Sequence, residues 1–234
     1  GLLKAITDLG FTTPSDIQAE AIPVALNGQD IIGQAQTGTG KTAAFGLPML
    51  NNIANRKAIS SIILAPTREV SIQVHDELVK LAKYEKLNVV AVYGGAPIHN
   101  QIRDIKKANI VVGTPGRVLD HIRRGTLPLD SVEFLVLDEA DEMLNMGFID
   151  DMEEIMKSIP EERQTLLFSA TMPSQIKKLT KKYLKEDSVH IAIARKELTG
   201  STITQNFFEV NNNERFETLC RLIDFDNPSA GIIF

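Results

Sequence analysis

The sequence predicts an α/β fold, a mainly parallel sheet with helices on both faces. Three observations carry that prediction. Seven short runs rich in Val, Ile and Leu mostly lack two-residue alternation, as strands buried on both faces do. Longer amphipathic segments lie between them, which implies βαβ units. A glycine-rich loop follows the first run and opens a helix, the context a phosphate-binding loop needs. The strand candidates are residues 30–34, 61–65, 88–93, 109–114, 134–138, 165–170 and 189–194. A helix is predicted from Lys41 towards Asn55. A second covers residues 68–84, with Val70, Val74, Leu78 and Leu81 on one stripe. A third covers 173–186, opening at Pro173 with Ile176, Leu179, Tyr183 and Leu184 facing inward. Ligands of such sheets sit outside the carboxyl ends of the strands.

The chain has 234 residues, is 43% hydrophobic and carries a net charge of −5, enough for one large core. No apolar run is long enough to span a membrane, and no leader is recognisable, so a cytoplasmic placement is expected. Cys220 is the only cysteine, which excludes an internal disulfide and fits a reducing compartment. Cys220 itself reads as a small core residue. The four histidines show no ligand spacing, so no structural zinc is expected. The acidic balance disfavours a generally basic nucleic-acid binder but leaves a local patch open.

Residues 1–195 read as one α/β domain, 196–206 as a linker, and 207–234 as the start of a second unit too small for its own core. That last part holds a strand candidate, NFFEV, a helix candidate over 214–225 and a final run, AGIIF. Its apolar groups need cover, by docking or by self-association through 205–234. Lys177, Lys178, Lys181, Lys182 and Lys185 fall on one helix face, read as solvated rather than as an RNA patch. DDMEE, 150–154, reads as a solvated acidic face, with Phe148, Met152, Ile155 and Met156 packing inward.

The loop AQTGTGKT, Ala35–Thr42, lacks the usual first glycine. A small residue suffices there if its φ is negative. Gly38 and Gly40 let successive N–H groups converge on phosphate oxygens, and the helix start adds partial positive charge. Lys41 supplies a full charge to the β and γ phosphates, and Thr42 a hydroxyl to Mg²⁺. FLVLDEAD puts Asp138 and Glu139 at the end of an apolar strand, expected beside the loop's own strand. Asp138 would bind the metal, partly through water. Glu139 would orient and deprotonate the attacking water.

DEAD at Asp138–Asp141 resembles motif II of the DEAD-box RNA helicases, and the other motifs follow in order. GFTTPSDIQ, Gly10–Gln18, resembles the Q motif, and AQTGTGKT resembles motif I, which in that family begins with alanine. PTREV, Pro66–Val70, is similar to motif Ia, with Val70 where leucine is commoner. Gly94–Gly95 and Thr114–Arg117 match the next two, and Ser169–Thr171 matches motif III.

The resemblance implies a RecA-like P-loop domain that binds ATP and Mg²⁺ and acts on RNA. It implies nucleotide contacts at Phe11, Thr13, Gln18, Gln36, Thr37, Gly38, Thr39, Gly40, Lys41 and Thr42. Gln18 would read the adenine edge and Phe11 stack on the base, although a Phe anchoring the first helix is an equal alternative. Pro66, Thr67, Arg68, Gly94, Gly95, Thr114, Pro115, Gly116 and Arg117 would hold the RNA backbone without reading sequence. The N–H groups of Gly116 and Arg117 would start a helix that caps a phosphate, and Arg68 could instead pair with Glu69 or a neighbouring acid. Ser169 and Thr171 would couple ATP state to RNA work through the acids. The family's upstream aromatic and its C-terminal RecA-like domain, which brings arginine fingers, have no match here. Slow hydrolysis without unwinding is therefore expected of this chain alone. A DNA-directed P-loop helicase and an ATP-gated RNA clamp are the alternatives. The Q motif and Asp141 speak against the first, Lys41 and Glu139 against the second.

Overall fold

A computed structural model describes residues 1–53, 58–193 and 206–233. All seven predicted strands form: β1 (Ile31–Gln34), β2 (Ser61–Leu64), β3 (Val89–Val92), β4 (Ile110–Gly113), β5 (Phe134–Leu137), β6 (Gln164–Ser169) and β7 (Val189–Ala192). Each pairs parallel to its neighbours in the order β3-β4-β2-β5-β6-β1-β7. Alternation is masked because the central strands are apolar on both faces. Ile63, Val136 and Phe168 point into one core with Phe45, Met49, Val74 and Leu78. Their neighbours Ile62, Leu135 and Leu167 point into the other, with Met152, Ile155 and Ile176. Only the edges lighten, and His190 in β7 is exposed.

The helices are α1 (Leu2–Asp8), α2 (Asp16–Leu26), α3 (Lys41–Asn52), α4 (Arg68–Leu81), α5 (Ile98–Ile105), α6 (Pro115–Arg123), α7 (Ala140–Asn145), α8 (Ile149–Ser158), α9 (Ser174–Tyr183) and α10 (Arg215–Asp226). The predicted stripes hold: Val74, Leu78, Leu81, Ile176 and Leu179 are buried, and Val70 and Tyr183 are partly so. Helices α1, α2, α5 and α7 were not singled out by periodicity; at six residues, α7 is too short to show a period. The predicted extension of the Lys41 helix towards Asn55, Ala194, most of the linker and Phe234 lie outside the described residues.

The chain divides into two units, Gly1–Arg195 and Lys196–Phe234. In the second, α10 has no buried residue. Residues 206–210 form no strand, since a strand needs an edge to pair with. Cys220 is exposed, against the expectation of a core position, because one helix cannot enclose a side chain. The lysine face is solvated as expected, with Lys177, Lys178, Lys181, Lys182 and Lys185 all exposed, and the 150–154 face is exposed or half-buried outside Met152. Lys182 pairs with Glu153 at 2.7 Å, and Arg123 grips Glu154 through two bonds of 2.7 and 3.0 Å. No helix among the described residues is long and apolar enough to cross a membrane.

Candidate nucleotide and nucleic-acid site

The phosphate loop leaves β1 in strand register, with the Ala35 N–H donating to Ser169 O at 3.1 Å. Among the described residues the non-glycine positions with positive φ are Glu139 and Asn227, so Ala35 meets the condition set for it. Gly40 is different. Its φ is +89°, and a Cβ there would lie 2.4 Å from the Gln18 amide nitrogen. That nitrogen donates to Gly40 O at 3.1 Å, and Ser15 Oγ donates to Thr39 O at 2.7 Å. The start of α2 therefore clasps the loop. Gln18 Oε1 also accepts from Ser15 N at 3.0 Å, which leaves the amide one N–H and one lone pair for a ligand. Phe11 is 48% exposed rather than an anchor in the core.

Lys41 begins α3, and 6% of its side chain is exposed. Its Nζ lies 3.5 Å from Asp138 Oδ1 and 3.9 Å from Glu139 Oε1. The acids are not on the adjacent strand as expected: β6 lies between β1 and β5. Lysine length closes the gap. Asp138 Oδ1 is buried without a hydrogen-bond partner. Burial pushes the Asp138 pKa up to about 6, Lys41 opposing and Glu139 adding to the rise. Glu139 sits at φ 54°, ψ 52°, a left-handed conformation that costs a non-glycine residue about 1–3 kcal/mol. Its carboxylate accepts from Thr37 Oγ1 at 2.9 Å.

Ser169 and Thr171 reach neither of those acids. They hold Asp141. Thr171 donates to Asp141 Oδ2 through N and Oγ1, both at 2.8 Å, while the Asp141 N–H donates to Ser169 Oγ at 3.2 Å. Burial acts to raise the Asp141 pKa, but these hydrogen bonds outweigh it and hold the carboxyl low. Both residues thus position the acid-bearing turn.

A cavity of about 470 Å³ joins Phe11, Gln18, Thr37, Gly38, Gly40, Lys41 and Thr42 to Asp138 and Glu139. It extends along Gln73, Glu77 and Lys80 of α4, polar residues that sequence reasoning missed. Thr13, Gln36 and Thr39 do not line it. Thr13 is exposed on a bend, and Thr39 donates to Gln36 O at 2.8 Å inside the loop.

The fit to ATP–Mg²⁺ is tested on the donor set. Mg²⁺ keeps much of its water and takes one or two carboxylates plus phosphates. The buried Asp138 oxygen, which faces Lys41 but makes no hydrogen bond, and the Thr42 hydroxyl match that. No group of three potential His, Cys, Asp or Glu ligands exists among the described residues, so a closed protein cage is not available.

The remaining candidates follow β2, β3 and β4. Pro66 and Pro115 are buried, so their side chains serve packing. Thr67 caps α4, its Oγ accepting from Val70 N at 3.2 Å. The Arg68 guanidinium lies 5.0 Å from the Tyr93 ring centre, not on Glu69. Gly94 and Gly95 are exposed, and Gly95 has φ +77°. Thr114 precedes α6, in whose first turn Gly116 is exposed. The Arg117 N–H is not available as expected: it closes a turn onto Thr114 O at 3.1 Å. The Arg117 side chain is also held, donating to Ala96 O and Gln101 Oε1, both at 3.1 Å.

A phosphate loop and an acid pair at the carboxyl edge of a parallel α/β sheet define a P-loop nucleotide-binding domain. The match narrows further. Residues 15–179 fit the DEAD/DEAH box helicase family model, and the chain belongs to that family. It is 51% identical over its whole length to the DEAD-box ATP-dependent RNA helicase CshA of Bacillus cereus and 53% to the ATP-dependent RNA helicase CshA of Listeria monocytogenes. It spans 45% of the length of each. The crystal structure of a DEAD box protein from Methanococcus jannaschii superposes with a TM-score of 0.80 at 50% identity, over 95% of this chain and 60% of that one. A hypothetical ATP-dependent RNA helicase from Sulfolobus tokodaii gives 0.77 at 38%, over 82% and 56%.

Proposed function

We propose that this chain is the nucleotide-binding RecA-like half of an ATP-dependent RNA helicase. The carrying observation is Lys41 Nζ set between Asp138 and Glu139 beneath the glycine loop. Lys41 and the loop N–H groups would hold ATP phosphates. Asp138 and Thr42 would hold Mg²⁺, which supplies charge neutralisation at the phosphates. Glu139 would accept the proton of the attacking water, its carboxylate oriented by Thr37 and by the turn that Asp141, Ser169 and Thr171 brace. Phe11 and the free half of the Gln18 amide would select adenine. The loops after β2, β3 and β4 would bind RNA backbone through main-chain groups, Thr67 and Arg68, which suits a chain of net charge −5. Unwinding would need the remainder of a longer protein. The exposed Phe207, Phe208, Phe216, Phe225 and Ile232 would be covered there, or by a second copy.

Calorimetry with ATP, ADP and GTP on the wild type and Gln18→Ala tests this reading. Adenine-selective binding that weakens without Gln18 is expected. Equal binding of GTP would sink the base assignment, and absence of any nucleotide binding would sink the site.

A further inference from the structure

Gln101 and His121 lie outside every motif used so far, yet they meet beneath the loops after β3 and β4. Gln101 on α5 is 6% exposed and His121 on α6 is 0% exposed. The Gln101 side chain is almost fully committed. Its Nε2 donates to Tyr93 O at 3.0 Å, and its Oε1 accepts from Arg117 Nη1 and from His121 Nε2, both at 3.1 Å. These bonds fix the direction of the chain. With its nitrogen on a carbonyl, Gln101 can only accept at Oε1, so the imidazole carries its proton on Nε2. Burial and Arg117 hold the imidazole pKa down, and the Thr126 hydroxyl braces the ring from the other side, 2.8 Å from Nδ1 and 3.1 Å from His121 O, to which it donates.

Gly94 and Gly95 gain no support of their own: a Cβ at either would meet nothing within 4 Å. The turn is instead held at its two ends. Tyr93 O is tied to Gln101 and Ala96 O to Arg117, and Arg117 is tied to Gln101. The Tyr93 ring also carries the Arg68 guanidinium from the loop after β2. Three loops on three strands therefore share one small frame.

We infer that Gln101, seated on His121, is a positioning residue that locks the 93–96 turn and Arg117 into one rigid frame and so shapes the RNA-backbone face. On this assignment Arg117 is chiefly a clamp rather than a phosphate contact. The functional half of the inference rests on the RNA reading proposed above.

Gln101→Met keeps the side-chain length and removes all three bonds. Gln101→Glu keeps the acceptor for Arg117 and His121 and loses only the donor to Tyr93 O. Amide exchange, binding of a single-stranded oligouridine of about ten nucleotides, and ATP binding are measured on the whole chain. For Gln101→Met, exchange at Gly94–Ala96 rises about tenfold or more and oligouridine affinity falls about tenfold, while ATP affinity stays at the wild-type value. Gln101→Glu gives an intermediate loss, with exchange raised at Gly94 and Gly95 but not around Gly116. A general destabilisation would lower ATP binding as well, and that result overturns the assignment. So does wild-type exchange in the turn, or wild-type RNA affinity, in Gln101→Met. If the wild-type chain binds no oligouridine, the RNA reading fails, and exchange alone then decides whether Gln101 is the clamp.

Discussion

The carboxyl edge of the sheet is divided by strand order. On β1, β6 and β5 it carries the phosphate loop, the 169–171 turn and the acids; on β2, β4 and β3 it carries the 66–68, 114–117 and 94–95 loops. The first half holds its groups short of satisfaction. Asp138 keeps a buried oxygen with no hydrogen bond, Lys41 is buried at salt-bridge distance from two acids, and Glu139 is held left-handed. The second half has its side chains tied inward and leaves main chain outward, with Gln101, Arg117 and Thr67 bonded to carbonyls, caps and each other. On the function proposed above, a site for a polyanion and a metal would have reason to keep charge available, and a face for any RNA sequence would have reason to spend its side chains on shape.

That contrast makes charge removal severe on the first half. Glu139→Gln should lower the chain's own single-turnover ATP hydrolysis by about 10²–10⁴ while nucleotide affinity changes little. Hydrolysis at the wild-type rate would move the base elsewhere. Lys41→Met should weaken ATP binding about 10–100-fold, measured by calorimetry, since charge-assisted contacts are worth about 1.5–3 kcal/mol. Retained affinity would mean that the loop N–H groups alone hold the phosphates.

Legibility also differed between the halves. The strands were plain because central parallel strands are apolar throughout, and Ile62–Leu64 or Leu135–Leu137 have no other reading at that length. The phosphate loop and acids were plain because their chemistry requires fixed residue types at fixed spacing. Strand order was not. Nothing local shows that β6 intervenes between β1 and β5, since order is set by long-range packing. Ser169 and Thr171 were visible as partners of the DEAD acids, but that Asp141 is the acid they hold shows only in the bonds between the two turns. Gln101 and His121 left no signal at all, being single polar residues on short helices. Their meaning lies in distances of 3.0–3.1 Å across different elements. Cys220 was misread because its helix pattern assumed a core that residues 206–233 do not form.

On the second half, removing a charge should matter less than losing geometry. Arg68→Ala should reduce oligouridine affinity only a few-fold and lower the slope of log affinity against log salt by about 0.7, one single-strand phosphate contact. Arg117→Met should cost affinity with that slope unchanged, because the guanidinium is committed to Ala96 O and Gln101. Equal slope changes in both variants would erase the distinction between a contact and a clamp.

The smallest effect concerns the unspent charge itself. The native Asp138 pKa of about 6 lies above its ordinary value of 3.8, so between those values the folded chain binds the proton more tightly than the unfolded chain. Its contribution to stability is then fully present below about pH 4 and is lost as pH rises through about 6. The uncharged amide of an Asp138→Asn variant would carry no such loss. The melting temperature of Asp138→Asn relative to wild type, without nucleotide, should therefore increase by a few degrees between pH 4 and pH 7 and then level off. Part of the gain is offset because Lys41 loses a partner at 3.5 Å. With ATP and Mg²⁺ the sign should reverse above pH 6, since only the wild type offers the ionised carboxylate and gains stability by ligation. A difference that is flat with pH in the free chain would mean that Asp138 is ionised at no cost. The first half of the sheet edge would then be as satisfied internally as the second.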